Sequence, residues 1–150
     1  MIIAHPPCTF LTVTGNRWFD IEKYGQKAVE RLLDRQDAIA FFMEIVNAPC
    51  DKIAIENPVG VMSTEYKKPT QIIQPFWFGD PARKATCLWL KGLPELKPTN
   101  IVKPDLKYFV RKDGSISSFS ADYGSGDKNC GERRSVTYPG IAQAFADQWG

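Results

Sequence analysis

The sequence predicts an α/β fold, a mixed sheet with flanking helices, from three observations. Met1 to Ala4 is a short apolar run closed by Pro6-Pro7. Gln26 to Asn47 carries apolar residues at helical spacing, and Lys52 to Ile55 is a second apolar run. Strand, helix and strand in that order make a βαβ unit, whose strands are parallel and whose crossover is right-handed.

Met1 to Ala4 fits a buried strand. Pro6 and Pro7 end it, since neither donates a backbone hydrogen bond and each fixes φ. Cys8 then stands just past a strand end, where open α/β sheets bind ligands. The loop from Phe10 to Phe19 turns at Gly15-Asn16 and carries hydroxyls, an arginine and aromatic rings. It is read either as a substrate-facing surface or as a connector with its aromatics in the core. In the helix that follows, Ala28, Leu32, Ile39, Phe42 and Val46 share one face, with Glu30, Arg31, Asp34 and Arg35 opposite. The Ala48-Pro49 step ends it.

The second strand is closed by Glu56-Asn57-Pro58-Val59-Gly60, so Cys8 and Glu56 fall on the same edge of the sheet. Met62 to Lys68 is a short helix or an exposed loop. Gln71 to Pro75 and Thr86 to Leu90 read as strands able to pair as an antiparallel hairpin, joined through an aromatic turn at Phe76 to Pro81. Residues 94–131 lack regularity and are expected to form an irregular or mobile loop region, with Ser115 to Ser120 and Gly124 to Gly131 small and polar. Within it Lys97, Lys103, Lys107, Arg111 and Lys112 interleave with Tyr108 and Phe109. Tyr138 to Trp149 is a closing helix.

At 150 residues the chain is expected to be a single domain with a real core. A net charge of +2 does not by itself argue for nucleic acid. The four cysteines include no Cys-x-x-Cys pair and His5 is the one histidine, so no metal site is expected. No leader pattern is visible at Met1, and no stretch is apolar enough to span a bilayer. The expectation is a protein of a reducing compartment with free thiols and no membrane partner.

A cysteine and a glutamate on one sheet edge are a nucleophile and an acid, which by residue type alone more often have structural duties. Their context adds weight. Pro7-Cys8-Thr9-Phe10-Leu11-Thr12-Val13-Thr14-Gly15 resembles the nucleophile loop of DNA cytosine-5 methyltransferases, with Thr12 and Gly15 at the family's hydroxyl and glycine spacings. Ile55-Glu56-Asn57-Pro58 is similar to their Glu-Asn-Val motif. Phe78-Gly79-Asp80-Pro81 through Gly92 is similar to a later motif, in which Lys84 and Thr86 stand at the places of two arginines. Tyr138-Pro139-Gly140-Ile141-Ala142 resembles the last motif, which folds back to the cofactor. The four likenesses keep their order across most of the chain and extend to phage and prophage proteins of this type.

The resemblance implies a truncated Rossmann-like methyltransferase fold. It implies Cys8 as the nucleophile on cytosine carbon 6 and Glu56 as the acid at ring nitrogen 3. Pro7, Thr9, Thr12, Asn57, Pro58, Lys84 and Thr86 are the implied substrate-binding residues. Thr9 stands where the family usually has glutamine. Family members place their S-adenosylmethionine half ahead of the Pro-Cys loop, whereas Met1 begins inside that strand. The expected function is therefore a cytosine methyltransferase-like protein that retains the base pocket and acts on DNA or a nucleotide. It would use S-adenosylmethionine only if a homodimer mate or a separate cofactor-binding subunit supplies that site. The uncovered sheet edge would then be closed by a rearranged segment or by that subunit. The alternative is a non-catalytic phage factor that binds a nucleotide, nucleic acid or protein, in an anti-defence role and without a cofactor. The expected location is the cytoplasm of a bacterium or a phage-infected cell.

Overall fold

The computed structural model describes residues 1–120 and 136–150. Their contacts divide the chain into two compact units, one of Met1–Ile72 with Ala85–Glu95 and one of Ile73–Lys84 with Leu96–Gly150. The expected loop from Gly124 to Gly131 lies outside the described residues, as does Cys130.

In the first unit β1 (Ile2–Ala4) pairs in parallel with β2 (Ile53–Pro58), Ile2 beside Ile53 and Ala4 beside Ile55. Between them come a 3-10 turn at Val13–Phe19, the short helix α1 (Ile21–Tyr24) and the long helix α2 (Gln26–Val46). The second strand runs further than its apolar letters suggest. β4 (Thr86–Lys91) pairs antiparallel along the whole of β2, so Glu56, Asn57 and Pro58 lie opposite Leu88, Cys87 and Thr86. Glu56 is thus inside the ladder on the β4 side and one residue past β1 on the other. Pro58 is tolerated because it is the final residue and need not donate to the ladder.

The sheet order is β1-β2-β4-β3, with β3 at Gln71–Ile73. The expected mixed α/β sheet with flanking helices is present. β1 pairs with β2 alone, and among the described strands none lies on its outer side. The core of this unit joins Leu11, Phe42, Ile53, Ile55, Met62, Cys87 and Trp89. Alternation along β2 puts Ile53 and Ile55 into this core, where Phe42 of α2 meets Trp89 edge-on at 5.2 Å. Met62–Glu65 is a single helical turn, α3, whose Met62 is buried.

The second unit corrects one expectation. Residues 106–120 are not an irregular loop but an antiparallel hairpin, β5 (Leu106–Val110) with β6 (Ile116–Ser120), in continuous register from Leu106 opposite Ser120 to Val110 opposite Ile116. Its turn is Lys112-Asp113-Gly114, closed by the Arg111 N–H donating to the Ser115 carbonyl at 2.8 Å, and Gly114 at its end takes φ 80°, which L side chains rarely adopt. Arg83 anchors the ribbon, donating to the Ser118 carbonyl at 2.7 Å and the Ser118 hydroxyl at 2.8 Å, while its backbone N–H donates to the Ser120 hydroxyl at 3.0 Å.

The closing helix α4 (Pro139–Trp149) starts at a proline suited to the first turn, and its Phe145 and Trp149 rings stack at 4.8 Å. Gly140 sits against the Phe78-Gly79-Asp80 turn, where its N–H donates to the Asp80 carboxylate at 2.9 Å and a Cβ would overlap the Phe78 carbonyl. Among the described residues no helix is long and apolar enough to cross a membrane.

Candidate functional site

Parallel register builds the site. Ala4 lies beside Ile55, so the next residues, His5 just past the end of β1 and Glu56 still within β2, stand side by side. The His5 Nδ1 stands 3.1 Å from the Glu56 Oε2. His5 precedes a proline, which disfavours a helical backbone at His5 and favours an extended one. The Glu56 side chain is 17% exposed and that of His5 40% exposed. One step further the pattern repeats: Asn57, buried, donates from Nδ2 to the Pro6 carbonyl at 2.8 Å, while its Oδ1 is buried without a partner. Asn57 therefore ties the chain entering the cysteine turn to the strand that carries the glutamate.

Cys8 opens a tight turn. Its carbonyl accepts the Leu11 N–H at 3.1 Å and the Thr12 N–H at 3.0 Å, and the residue is half-buried. The loop beyond it is pinned from two directions. On one side Thr12 bridges Gly60, the Val13 N–H donates to the Val59 carbonyl at 3.2 Å, and the Val61 N–H donates to the Leu11 carbonyl at 2.8 Å. This approach needs glycine at position 60, because a Cβ there would overlap the Leu11 carbonyl. On the other side two arginines of α2 reach across the loop. Arg31 donates to the Thr9 carbonyl at 3.1 Å, and Arg35 donates to the Phe10 carbonyl at 2.8 Å and the Asn16 Oδ1 at 2.8 Å.

Both guanidinium groups also cover aromatic rings. Arg31 lies 4.8 Å from Phe10 and 5.0 Å from Phe19, and Arg35 lies 3.4 Å from Phe19. Burial first, and the charge of Arg31 second, push the Arg35 guanidinium below its ordinary value. The sequence puts these arginines opposite the apolar face of the helix. They clamp the cysteine loop, since their length carries the charged heads back over the flank of α2. The loop aromatics Phe10 and Phe19 accordingly lie under guanidinium groups.

Compared with models of known protein families, with curated proteins and with solved structures, the chain matches none.

The other expected residues divide between the two units. Pro7, Thr9, Thr12, Asn57 and Pro58 lie in the same unit as Cys8 and Glu56, on segments joined by the contacts above. Pro7 lines an open cleft of about 240 Å³ with Phe10, Asp34, Asp37, Ala38 and Phe41. Thr12 caps the 3-10 turn, its hydroxyl 3.4 Å from that of Thr14. Thr86 is buried opposite Pro58. Lys84 belongs to the second unit, where its ammonium stands 5.9 Å from the centre of the Tyr138 ring.

Cys87, opposite Asn57, is a buried thiol pushed up to about 11 by burial, with the Glu56 charge adding to the shift. It is therefore a neutral packing group, and Cys8 is the thiol at the open end of the strands. A second cavity of about 140 Å³, lined by Ile53, Trp89 and Lys91 among others, contains none of the candidate residues. Among the described residues no group of three metal-ligating side chains converges.

The sequence reading missed His5, Arg31 and Arg35. The signal for His5 was available: with the strands parallel and their apolar runs ending at Ala4 and Ile55, the next residue of each must meet. The arginines left no such sign, because a helix flank with alternating charges looks the same whether solvated or folded over a loop.

Proposed function

We propose that this chain carries the base-binding half of a cytosine-5 methyltransferase-type site, with Cys8 as nucleophile and Glu56 as acid. The observation that carries the proposal is the junction of the Pro7-Cys8 turn with the Glu56-Asn57 strand end, through the Asn57 bond to Pro6 and the Thr12–Gly60 bridge. A cysteine sulfur on a loop fixed by backbone and arginine contacts, with a carboxyl group on the adjoining strand, suits attack on an electron-poor ring. The Cys8 S–H gives its proton to solvent and the sulfur electron pair bonds to carbon 6 of cytosine. The proton of Glu56 passes to nitrogen 3, and the ring electrons move towards carbon 5, which becomes nucleophilic. A base unstacked from its strand has the access this requires.

Neither turn after the two parallel strands offers an open glycine loop to S-adenosylmethionine. The glycine turn that follows β2, at Gly60, is filled by the Leu11 carbonyl, and the turn after β1 is prolines. The chemistry assigned to this chain therefore stops at carbon 6 addition and nitrogen 3 protonation. A methyl donor would be held by polypeptide outside these residues.

Carbon 5 of the adduct can instead take a deuteron from heavy water, and loss of its original proton with release of Cys8 returns labelled cytosine. Exchange of the carbon 5 hydrogen in a single-stranded cytosine oligonucleotide thus reads the assigned steps without a donor. The wild-type chain is expected to exchange and Cys8→Ser to lose exchange. No exchange above buffer by the wild type contradicts the proposal.

The position of Lys84 over Tyr138 favours a second reading, since it occupies the cation that the resemblance assigns to substrate. In that reading the chain binds a nucleotide, nucleic acid or protein without turnover. Oligonucleotide binding of equal strength in wild type and Cys8→Ser, with no exchange in either, supports it.

A further inference from the structure

We infer that His5 is the positioning residue of the site: its Nδ1 holds one oxygen of Glu56 and leaves the other to meet the bound base. The inference rests on the base-site reading above. The His5–Glu56 contact, 3.1 Å from Nδ1 to Oε2, lies at the end of two parallel strands whose register brings the two residues together. The resemblance places two arginines around the glutamate, and here those positions are Lys84 and Thr86. Lys84 stands over Tyr138, and neither residue has the planar fork of arginine. His5, one residue past β1, supplies a donor to Glu56.

A carboxylate only accepts hydrogen bonds, so with Glu56 ionised the shared hydrogen sits on Nδ1 of His5. When Glu56 acts as an acid, its O–H bond breaks, an N–H bond forms at nitrogen 3 of the base, and the electron pair stays on the carboxylate. The Nδ1–H then faces a full negative charge where it had faced a neutral acid. Its bond strengthens as the proton moves, which is the condition for lowering a barrier rather than merely binding. The extended backbone favoured by Pro6 sets the direction of approach. A polar contact of this exposure contributes little to stability, so a purely structural pair predicts no consequence for the chemistry.

The single histidine of the chain makes the test direct, because its two ring nitrogens give unambiguous nitrogen-15 signals. In its uncharged form the ring is expected to carry its hydrogen on Nδ1 in the wild type and to revert to the mixture seen in free histidine in Glu56→Ala. A ring with its hydrogen on Nε2 in the wild type, or one indifferent to Glu56→Ala, overturns the inference. In the carbon 5 exchange assay His5→Ala should lose roughly tenfold, the scale seen when a side chain that orients a reacting group is removed. His5→Asn, whose amide N–H can stand near the Nδ1 position, should recover part of that loss. A wild type that exchanges and a His5→Ala that exchanges equally sink the inference while the base-site reading stands. A Glu56-dependent Nδ1–H in a wild type that does not exchange leaves the hold on Glu56 intact and sinks the reading on which its purpose rests.

Discussion

The cysteine loop and the β5–β6 hairpin are both excursions from a sheet or turn, and they are built in opposite ways. The loop spends its backbone groups inward. Carbonyls of Cys8, Thr9, Phe10 and Leu11 each accept a bond, two of them from arginines on α2 more than twenty residues away. The hairpin is held by its own ladder and by Arg83, and it leaves Tyr108 at 69%, Val110 at 70% and Ile116 at 75% exposure. A two-stranded ribbon of that kind is marginal alone. The contrast separates two demands: a nucleophile needs a fixed position, whereas a surface of rings and lysines only has to be accessible.

The largest effect should come from tightening the loop's own joint. Gly60→Ala forces a methyl group onto the Leu11 carbonyl, and backbone cannot yield as a side chain can. Overpacking of this kind typically costs about 1–3 kcal/mol, and the upper end is expected in urea unfolding, together with loss of carbon 5 exchange. Gly114→Ala, at the hairpin turn, meets no neighbouring atom and is strained only through its φ of 80°, so its loss should be the smaller. Equal losses would remove the distinction between the two regions.

Arg35→Ala comes next. It removes donors to Phe10 and Asn16 and uncovers Phe19. A charge-assisted bond is worth about 1.5–3 kcal/mol, and partial replacement by water should bring the loss to the lower end. Tyr108→Ala or Lys107→Ala in the hairpin should stay within about 0.5 kcal/mol, as exposed substitutions do. Their effect belongs to binding. If Lys107, Arg111 and Lys112 contact phosphates of a single strand, replacing all three by glutamine should flatten the salt dependence of oligonucleotide affinity by about two units of slope, at roughly 0.7 per contact. An unchanged slope would make the ribbon a solvated surface.

A smaller effect is expected from pH. The Cys87 thiol stays protonated in the folded chain up to about 11, against an ordinary value of 9.0. Its contribution to stability is therefore complete below 9 and is lost as the pH rises towards 11, because the unfolded chain releases the proton first. The urea midpoint should fall over that interval, and less so in Cys87→Ala. Parallel curves for the two proteins would contradict the assignment of Cys87 as a neutral packing group.

Much of the sheet was legible. The apolar runs at Ile2–Ala4 and Ile53–Ile55, the periodic helix between them and the closing helix at Pro139–Trp149 are each carried by local pattern, which is why they appear where expected. The strand ending was not, since Glu56-Asn57-Pro58 has the letters of a turn and is drawn into the ladder only by pairing with Thr86–Leu88. The hairpin was obscured for a related reason. Ile116–Ser120 is mostly serine, and its strand character comes from the partner strand and the Asp113-Gly114 turn. Cys8 and Glu56 are candidates through their neighbouring letters alone, while Arg31, Arg35 and the His5 contact depend on which surfaces the fold lays together.

The bond between Cys8 and a pyrimidine ring is the central claim, and an oligonucleotide carrying 2-pyrimidinone in place of one cytosine tests it most directly. That ring lacks the 4-amino group, so carbon 6 is more open to attack, and addition needs no methyl donor. Intact-mass measurement of the wild type with this oligonucleotide should show one covalent adduct, absent in Cys8→Ser and reduced in Glu56→Gln. An adduct that persists in Cys8→Ser, or a wild type that binds the strand and forms none, would contradict Cys8 as the nucleophile.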